Sequence, residues 1–224
     1  MISSLILPLV YRKMHPEKML IQTHNLSLTA RVILMLFLTA TAYTVFSQER
    51  SLQYIIKRSG HTVGNLIVKE NKEGNRVTYR LQSAVKTSFV FSILVWAIEE
   101  AVYEDGVLTY SHFYQKINSS EQVNTEIQAS GKTYVVSSRS DVKSLYTYPI
   151  TYNLVCVYTL EPLHRAYVFA DKFQQFVPIV SLSPHRYKIK FPDGNENEYY
   201  YQGGLCTNVK LNNTWFSAEM ELKR

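Results

Sequence analysis

Cysteine is scarce in this chain. There are two, Cys156 and Cys206. They form no CxxC pair, and no histidine pair stands at a ligand interval near either one, so the pattern of a structural zinc site is missing. In an oxidising compartment the two could join as one disulfide, and two buried thiols that never meet are an equal alternative. Glycine is also sparse, at 8 residues, and no glycine-rich loop follows a strand to cradle a phosphate. No GxSxG elbow carries a nucleophilic serine. His61, His112, His164 and His185 are scattered among turns and strands. Glu99-Glu100 is the obvious carboxylate pair, but neighbours on a strand point to opposite faces and cannot work together as acid and base. A salt-bridged or solvated pair is expected there instead. Asp171 opens "DKFQQF" with no partner visible in the sequence. Lysine and arginine do not cluster, so there is no nucleic-acid footprint. These absences point away from an enzyme, and they imply neither a metal nor a cofactor.

A membrane-length apolar run is missing too. Val32 to Phe46 gives fifteen uncharged residues, where a spanning helix needs about 20. The run fits the core of a secretory signal, with Arg31 supplying positive charge before it and Val45-Phe46-Ser47 an acceptable cut. Cleavage after Ser47 is the expectation, and an uncleaved leader tethering the same domain is the alternative. The thirty residues ahead of Arg31 exceed an ordinary n-region, and Met14 and Met19 offer later starts. Residues 1–47 therefore read as an extension and signal peptide, and 48–224 as one domain of a periplasmic or secreted protein. That domain has 177 residues, 20 of them basic and 17 acidic, a net of +3. It is long enough to bury a real core.

What is present reads as strands almost throughout. In "RVTYRLQSAVKT", from Arg76, residues Val77, Tyr79, Leu81, Ser83 and Val85 fall on one face and polar residues on the other. That is the period of a half-buried strand. Ser59-Gly60 and Glu73-Gly74-Asn75 punctuate as turns. Asp105-Gly106 suits a tight hairpin between a strand ending near Glu104 and one from Val107 to about Ile117. Pro192 to Asn195 and Asn212-Asn213 read as further turns. One stretch differs: "YPITYNLVCVYTLEP", Tyr148 to Pro162, spaces Ile150, Leu154, Val157 and Leu160 three or four apart, with prolines near both ends. It predicts one short helix. About a dozen short strands at this spacing predict a mainly β fold: a curved, partly closed antiparallel sheet or barrel-like sandwich.

The chain resembles a family of secreted bacterial proteins known only as a domain of unknown function. The resemblance rests on "LQYIIKRSGHTVGNLIV", "IEEAVYEDGVL", "PITYNL", "FQQFVPI" and "YKIKFPDGNENEYYY". It covers Leu52 to Tyr201. The first two segments also look like a wider group of periplasmic β-rich domains. The resemblance implies a curved antiparallel sheet with a helix against its concave side, and it implies no activity.

The aromatic content is the positive signal. Of 17 tyrosines, 15 lie beyond Ser47. Trp96 sits in "FVFSILVWAI", apolar on both faces, which predicts cover on both sides. Tyr110 and Tyr114 share a face with His112 between them, and Tyr199 and Tyr201 close a tyrosine cluster. Packing explains aromatic strands well. A cavity for an apolar ligand explains them too, and Trp96, Tyr110, Tyr114, Tyr199 and Tyr201 are its candidate lining. The leading expectation is a non-catalytic carrier for an apolar small molecule. A module meeting an envelope protein or glycan through a sheet edge or tyrosine patch is the alternative. That alternative predicts a solid core. A small outer-membrane barrel is argued against by short strands with one charged face.

Overall fold

Alternating side chains and glycine turns build one antiparallel sheet. A computed structural model describes residues 47–88, 92–139, 141–145, 149–212 and 217–223. The expected signal peptide and its cut fall outside these residues, apart from Ser47. The strands are β1 (Ser47–Arg58), β2 (His61–Glu73), β3 (Arg76–Ser88), β4 (Ser92–Glu104), β5 (Val107–Ile117), β6 (Ser120–Ser130), β7 (Thr133–Ser138) and β8 (Val142–Leu145). They continue with β9 (Tyr167–Ala170), β10 (Gln175–Ser183), β11 (Arg186–Lys190), β12 (Glu196–Gln202), β13 (Leu205–Asn212) and β14 (Ser217–Leu222).

Their spatial order is β8-β7-β6-β5-β4-β3-β2-β1-β14-β13-β12-β11-β10-β9. The first and last strands therefore meet in the middle, with Tyr54 opposite Leu222 and Ile56 opposite Met220. Two arms of successive hairpins run outward from this seam. The β4–β5 turn uses the positive φ that its residues tolerate: Asp105 and Gly106 take φ of 50° and 77°, as a primed turn requires.

The sheet has two ends, because β8 and β9 are not paired among the described residues. A membrane barrel needs its ladder closed on itself. Within the described residues, no helix is long and apolar enough to cross a membrane.

Inward residues alternate with outward ones along each strand. Leu52, Tyr54 and Ile56 of β1, Leu66 and Val68 of β2, and Tyr79 and Leu81 of β3 are buried together. So are Tyr187 and Ile189 of β11, Tyr199 and Tyr201 of β12, and Ala218 and Met220 of β14. Bulges bend the strands and re-aim this pattern. At Val102/Tyr103 and at Tyr200/Tyr201 one extra residue enters the facing strand, and both times it is a threonine, Thr109 or Thr207. Each threonine hydroxyl donates back across the bulge, to the carbonyls of Val102 (3.2 Å) and Tyr200 (3.3 Å).

The predicted helix is shorter and tighter than expected. It is a five-residue 3₁₀ turn, Leu154–Tyr158. β-Branched Val155 and Val157 disfavour a longer α-helix, and Pro162 follows the turn closely. A second 3₁₀ turn, Asp171–Phe173, precedes β10. The first turn lies in the concavity of the sheet. Ile150, Tyr152, Val155, Cys156 and Val157 belong to the same buried cluster as the inward strand residues.

Candidate functional site

The interior is occupied by the chain's own segment 150–161. Its backbone is irregular, so its buried N–H and C=O groups need partners that no ladder supplies. Backbone groups supply some, the Leu108 N–H donating to the Ile150 carbonyl at 2.8 Å and the Phe169 N–H to the Tyr152 carbonyl at 3.0 Å, and tyrosine hydroxyls supply others. Tyr134 of β7 accepts from the Ile150 N–H and donates to the Leu108 carbonyl, both at 3.1 Å. Tyr103 of β4 donates to Asn153 Oδ1 at 2.8 Å. Tyr201 of β12 donates to the Val157 carbonyl at 2.7 Å, and Tyr152 donates to the Leu160 carbonyl at 2.6 Å. At the segment's end Tyr187 donates to the buried Glu161 carboxylate at 2.9 Å, which also faces His185 Nδ1 at 3.0 Å. Burial drives the Tyr103, Tyr152 and Tyr201 hydroxyls far above the usual phenol range, so they remain neutral donors.

Two of these tyrosines arise from one local pattern. Tyr103-x-x-Gly106-x-x-Thr109 and Tyr201-x-x-Gly204-x-x-Thr207 have the same spacing. In both, glycine turns the hairpin, threonine fills the bulge, and the bulge sets tyrosine inward onto segment 150–161.

Tyr199 and Tyr201 stand apart from the other candidate residues. They are buried against the chain's own segment, Tyr199 packing edge-on to Tyr158 at 6.4 Å between ring centroids. Segment 150–161 packs against the inward face, and beside it an opening of about 220 Å³ is lined by Tyr79, Tyr103, Thr151, Cys156, Leu160 and Arg165.

The two-sided cover predicted around Trp96 is also absent. Ile93 and Leu94 are exposed, and Trp96 stands half-buried on the outward face of β4. Phe89, Val90 and Phe91 lie outside the described residues. Trp96 packs edge-to-face on Tyr114, with centroids 5.7 Å apart. Around them, on the outer face of β3 to β6, lie Ile98, His112, Arg80 and Glu100, which together with Asn124 and Glu126 line an open cleft of about 420 Å³. His112 Nε2 meets Asn124 Oδ1 at 3.0 Å, and Arg80 pairs with Glu100 at 3.1 Å. The Lys116 ammonium caps the Tyr114 ring at 5.3 Å. Tyr110 shares this face, opposite Val102. Three of the five candidate residues are thus gathered on the outer wall and two are not.

Cys156 and Cys206 are both free and buried. Cys156 contacts Tyr103 and Asn153, and Cys206 contacts the Asn208 carbonyl. Burial pushes both thiols up to about 12, so neither is an activated nucleophile. Among the described residues no group of histidine, cysteine, aspartate and glutamate could hold a metal ion.

The carboxylates behave differently from the salt-bridged or solvated pair expected at Glu99-Glu100. Glu100 points out to Arg80, but Glu99 points in and is buried at 5% exposure. Its partner is Asp171, 1% exposed and 72 positions away in sequence. That separation is why sequence reasoning saw Asp171 as unpartnered. Two other buried acids are satisfied by conventional partners: Glu70 meets Tyr79, Lys72 and Arg50, and Glu161 meets Tyr187 and His185. Among the described residues the Glu99–Asp171 pair has no basic partner.

A solved structure similar to this chain is the crystal structure of a β-barrel-like protein of a domain of unknown function, DUF1849, from Brucella abortus. It is 12% identical, and the match covers 80% of this chain and 96% of that one with a TM-score of 0.49. No curated protein matches the chain. Residues 54–223 match the model of another domain of unknown function, DUF6134, and because this match spans well over half of the sequence the chain belongs to that family.

Proposed function

We propose that this domain is an exported, non-catalytic binding protein of the bacterial envelope, and that its ligand is a small amphipathic molecule held on the outer face of β3–β6. The observation that carries this reading is the contrast between the two sides of the sheet. The inner side carries the chain's own segment 150–161, held by tyrosine hydroxyls. The outer side carries an aromatic pair, Trp96 and Tyr114, at the base of an open cleft. An apolar ring or chain would lie on the indole and phenol. Arg80, Glu100, His112 and Asn124 would orient its polar end, the usual division of labour in a small-molecule site. Export follows from the signal-like run before Gln48, and a non-catalytic role agrees with thiols and tyrosines held neutral by burial.

A second reading is favoured by one separate observation. Phe176, Val180 and Leu182 alternate along β10 and are exposed, and Tyr167 of β9 is 61% exposed beside them. Such a row near a sheet edge fits a protein partner.

Native mass spectrometry of the protein, purified gently from its own envelope, tests the first reading. It predicts a mass excess that disappears on denaturation and is absent from Trp96→Ala. A clean apo mass from wild-type protein, together with a partner cross-linked through β9–β10, would replace the first reading with the second.

A further inference from the structure

Glu99 on β4 and Asp171 at the start of the second 3₁₀ turn meet in a dry site. The two carboxyls act on each other electrostatically, both are buried, and Glu99 Oε1 and Asp171 Oδ1 have no hydrogen-bond partner among the described residues. Two bare carboxylates are both acceptors and repel each other. One proton between them satisfies both orphan oxygens and removes one charge. The remaining contacts fix which carboxyl holds it. Asp171 receives the Asn153 amide at 3.0 Å. Glu99 Oε1 receives no hydrogen bond among the described residues. Asp171 is therefore the better-solvated anion and Glu99 the acid.

This pair fastens the interior segment to the wall. Asn153 of the segment donates to Asp171, which follows β9, and Asp171 faces Glu99 of the wall. Tyr103 and Cys156 extend the same network through Asn153.

We propose that the Glu99–Asp171 pair is a proton latch that locks segment 150–173 into the concavity and loosens it when the shared proton is lost. The groups facing the pair add no compensating charge. Cys156 and Tyr103 face it from the segment and β4, Tyr158 and Tyr199 act on Glu99, and Ser111 faces it from β5. Lys172 turns away to Asp193 at 3.6 Å. Loss of the proton would leave two like charges with no cation beside them, in a site from which water is excluded. A loosened segment would uncover the tyrosine-lined interior, which would then become a protonation-controlled apolar site. This inference stands independently of the outer cleft.

The directions of titration agree. Burial raises Asp171 to about 6 and carries Glu99 well above its ordinary value. The folded chain then holds protons that the unfolded chain has released, so stability is highest on the acid side. It is lost as the pH rises from the ordinary carboxylate range through the folded values.

The test is thermal melting of the purified protein between pH 5 and 9, with a fluorescent probe of exposed apolar surface and Glu99→Gln alongside. A glutamine amide donates permanently to Asp171. The latch predicts that wild type loses roughly 6–12 °C across this range and gains probe binding. Glu99→Gln should show neither change. Wild-type melting that is flat with pH, or a variant that follows wild type, overturns the latch. If Glu99→Gln does not fold, Asp171→Asn makes the same comparison. In wild type alone, a protonated-carboxyl infrared band at pH 7 that fades on raising the pH is required, and its absence refutes the proposal.

Discussion

Removing one hydroxyl from Tyr134 tests why so many tyrosines point inward. In Tyr134→Phe the ring stays in place and keeps its packing. The Ile150 N–H loses its 3.1 Å partner at a residue with no exposure, and the Leu108 carbonyl loses a donor. Leaving a buried donor unsatisfied costs about 1–3 kcal/mol. The missing oxygen leaves a void too small for water, which adds a few tenths through lost contacts. The expected loss is therefore about 2 kcal/mol. For a domain of this length that lowers the melting temperature by roughly 4–8 °C. Urea unfolding followed by far-ultraviolet circular dichroism measures the change, and the slope with denaturant should be unaltered. Tyr167→Phe is the control, since Tyr167 is 61% exposed on β9 and a surface change of this kind stays within about 0.5 kcal/mol. If Tyr134→Phe is as mild as Tyr167→Phe, the hydroxyl is not satisfying the segment backbone and the reasoning fails.

Further expectations follow from the same geometry. Gly64 sits where β2 and β3 approach, and a Cβ there would lie 2.2 Å from the Ala84 carbonyl oxygen and 2.8 Å from Val85 Cα. Because both obstacles are backbone, Gly64→Ala should cost more than about 3 kcal/mol, seen as loss of soluble protein or a collapsed melting temperature. Cys156 and Cys206 should resist a thiol reagent at pH 8 in the native state and both react after unfolding; a rapid native reaction at either would contradict their burial. Tyr201→Phe should destabilise about as much as Tyr134→Phe, because it strips the Val157 carbonyl of its donor, and its urea midpoint is the check.

Much of the fold was legible because it is local. The alternation from Val77 to Val85 assigned an inward face that the structure keeps at Tyr79 and Leu81. Asp105-Gly106 placed the β4–β5 hairpin, and both strand ends fall where the turn requires. The pairing of β1 with β14 was not legible, since it joins the two ends of the domain and no local signal marks it. Tyrosine alternation could not separate inward residues that bond a buried segment, such as Tyr201, from outward ones that floor a cleft, such as Tyr114. A signal did exist, because the repeated Tyr-x-x-Gly-x-x-Thr pattern links turn, bulge and inward hydroxyl. Glu99 and Asp171 could not be joined from sequence. Their meeting depends on how segment 150–173 crosses the concavity, which is a tertiary outcome. The sequence does show why Glu99 stands apart from Glu100: adjacent residues on a strand face opposite ways.

Segment 150–161 lies in the buried core of the sheet and is held there by tyrosine hydroxyls. Hydrogen exchange of the native protein at pH 6, read by peptide mass spectrometry, tests it most directly. Amides from Tyr152 to Leu160 are expected to exchange as slowly as those of β2 to β4, by global unfolding. Exchange of that segment at the rate of the exposed turn around Gly194, while the strands stay protected, would mean that the segment is not held in the core.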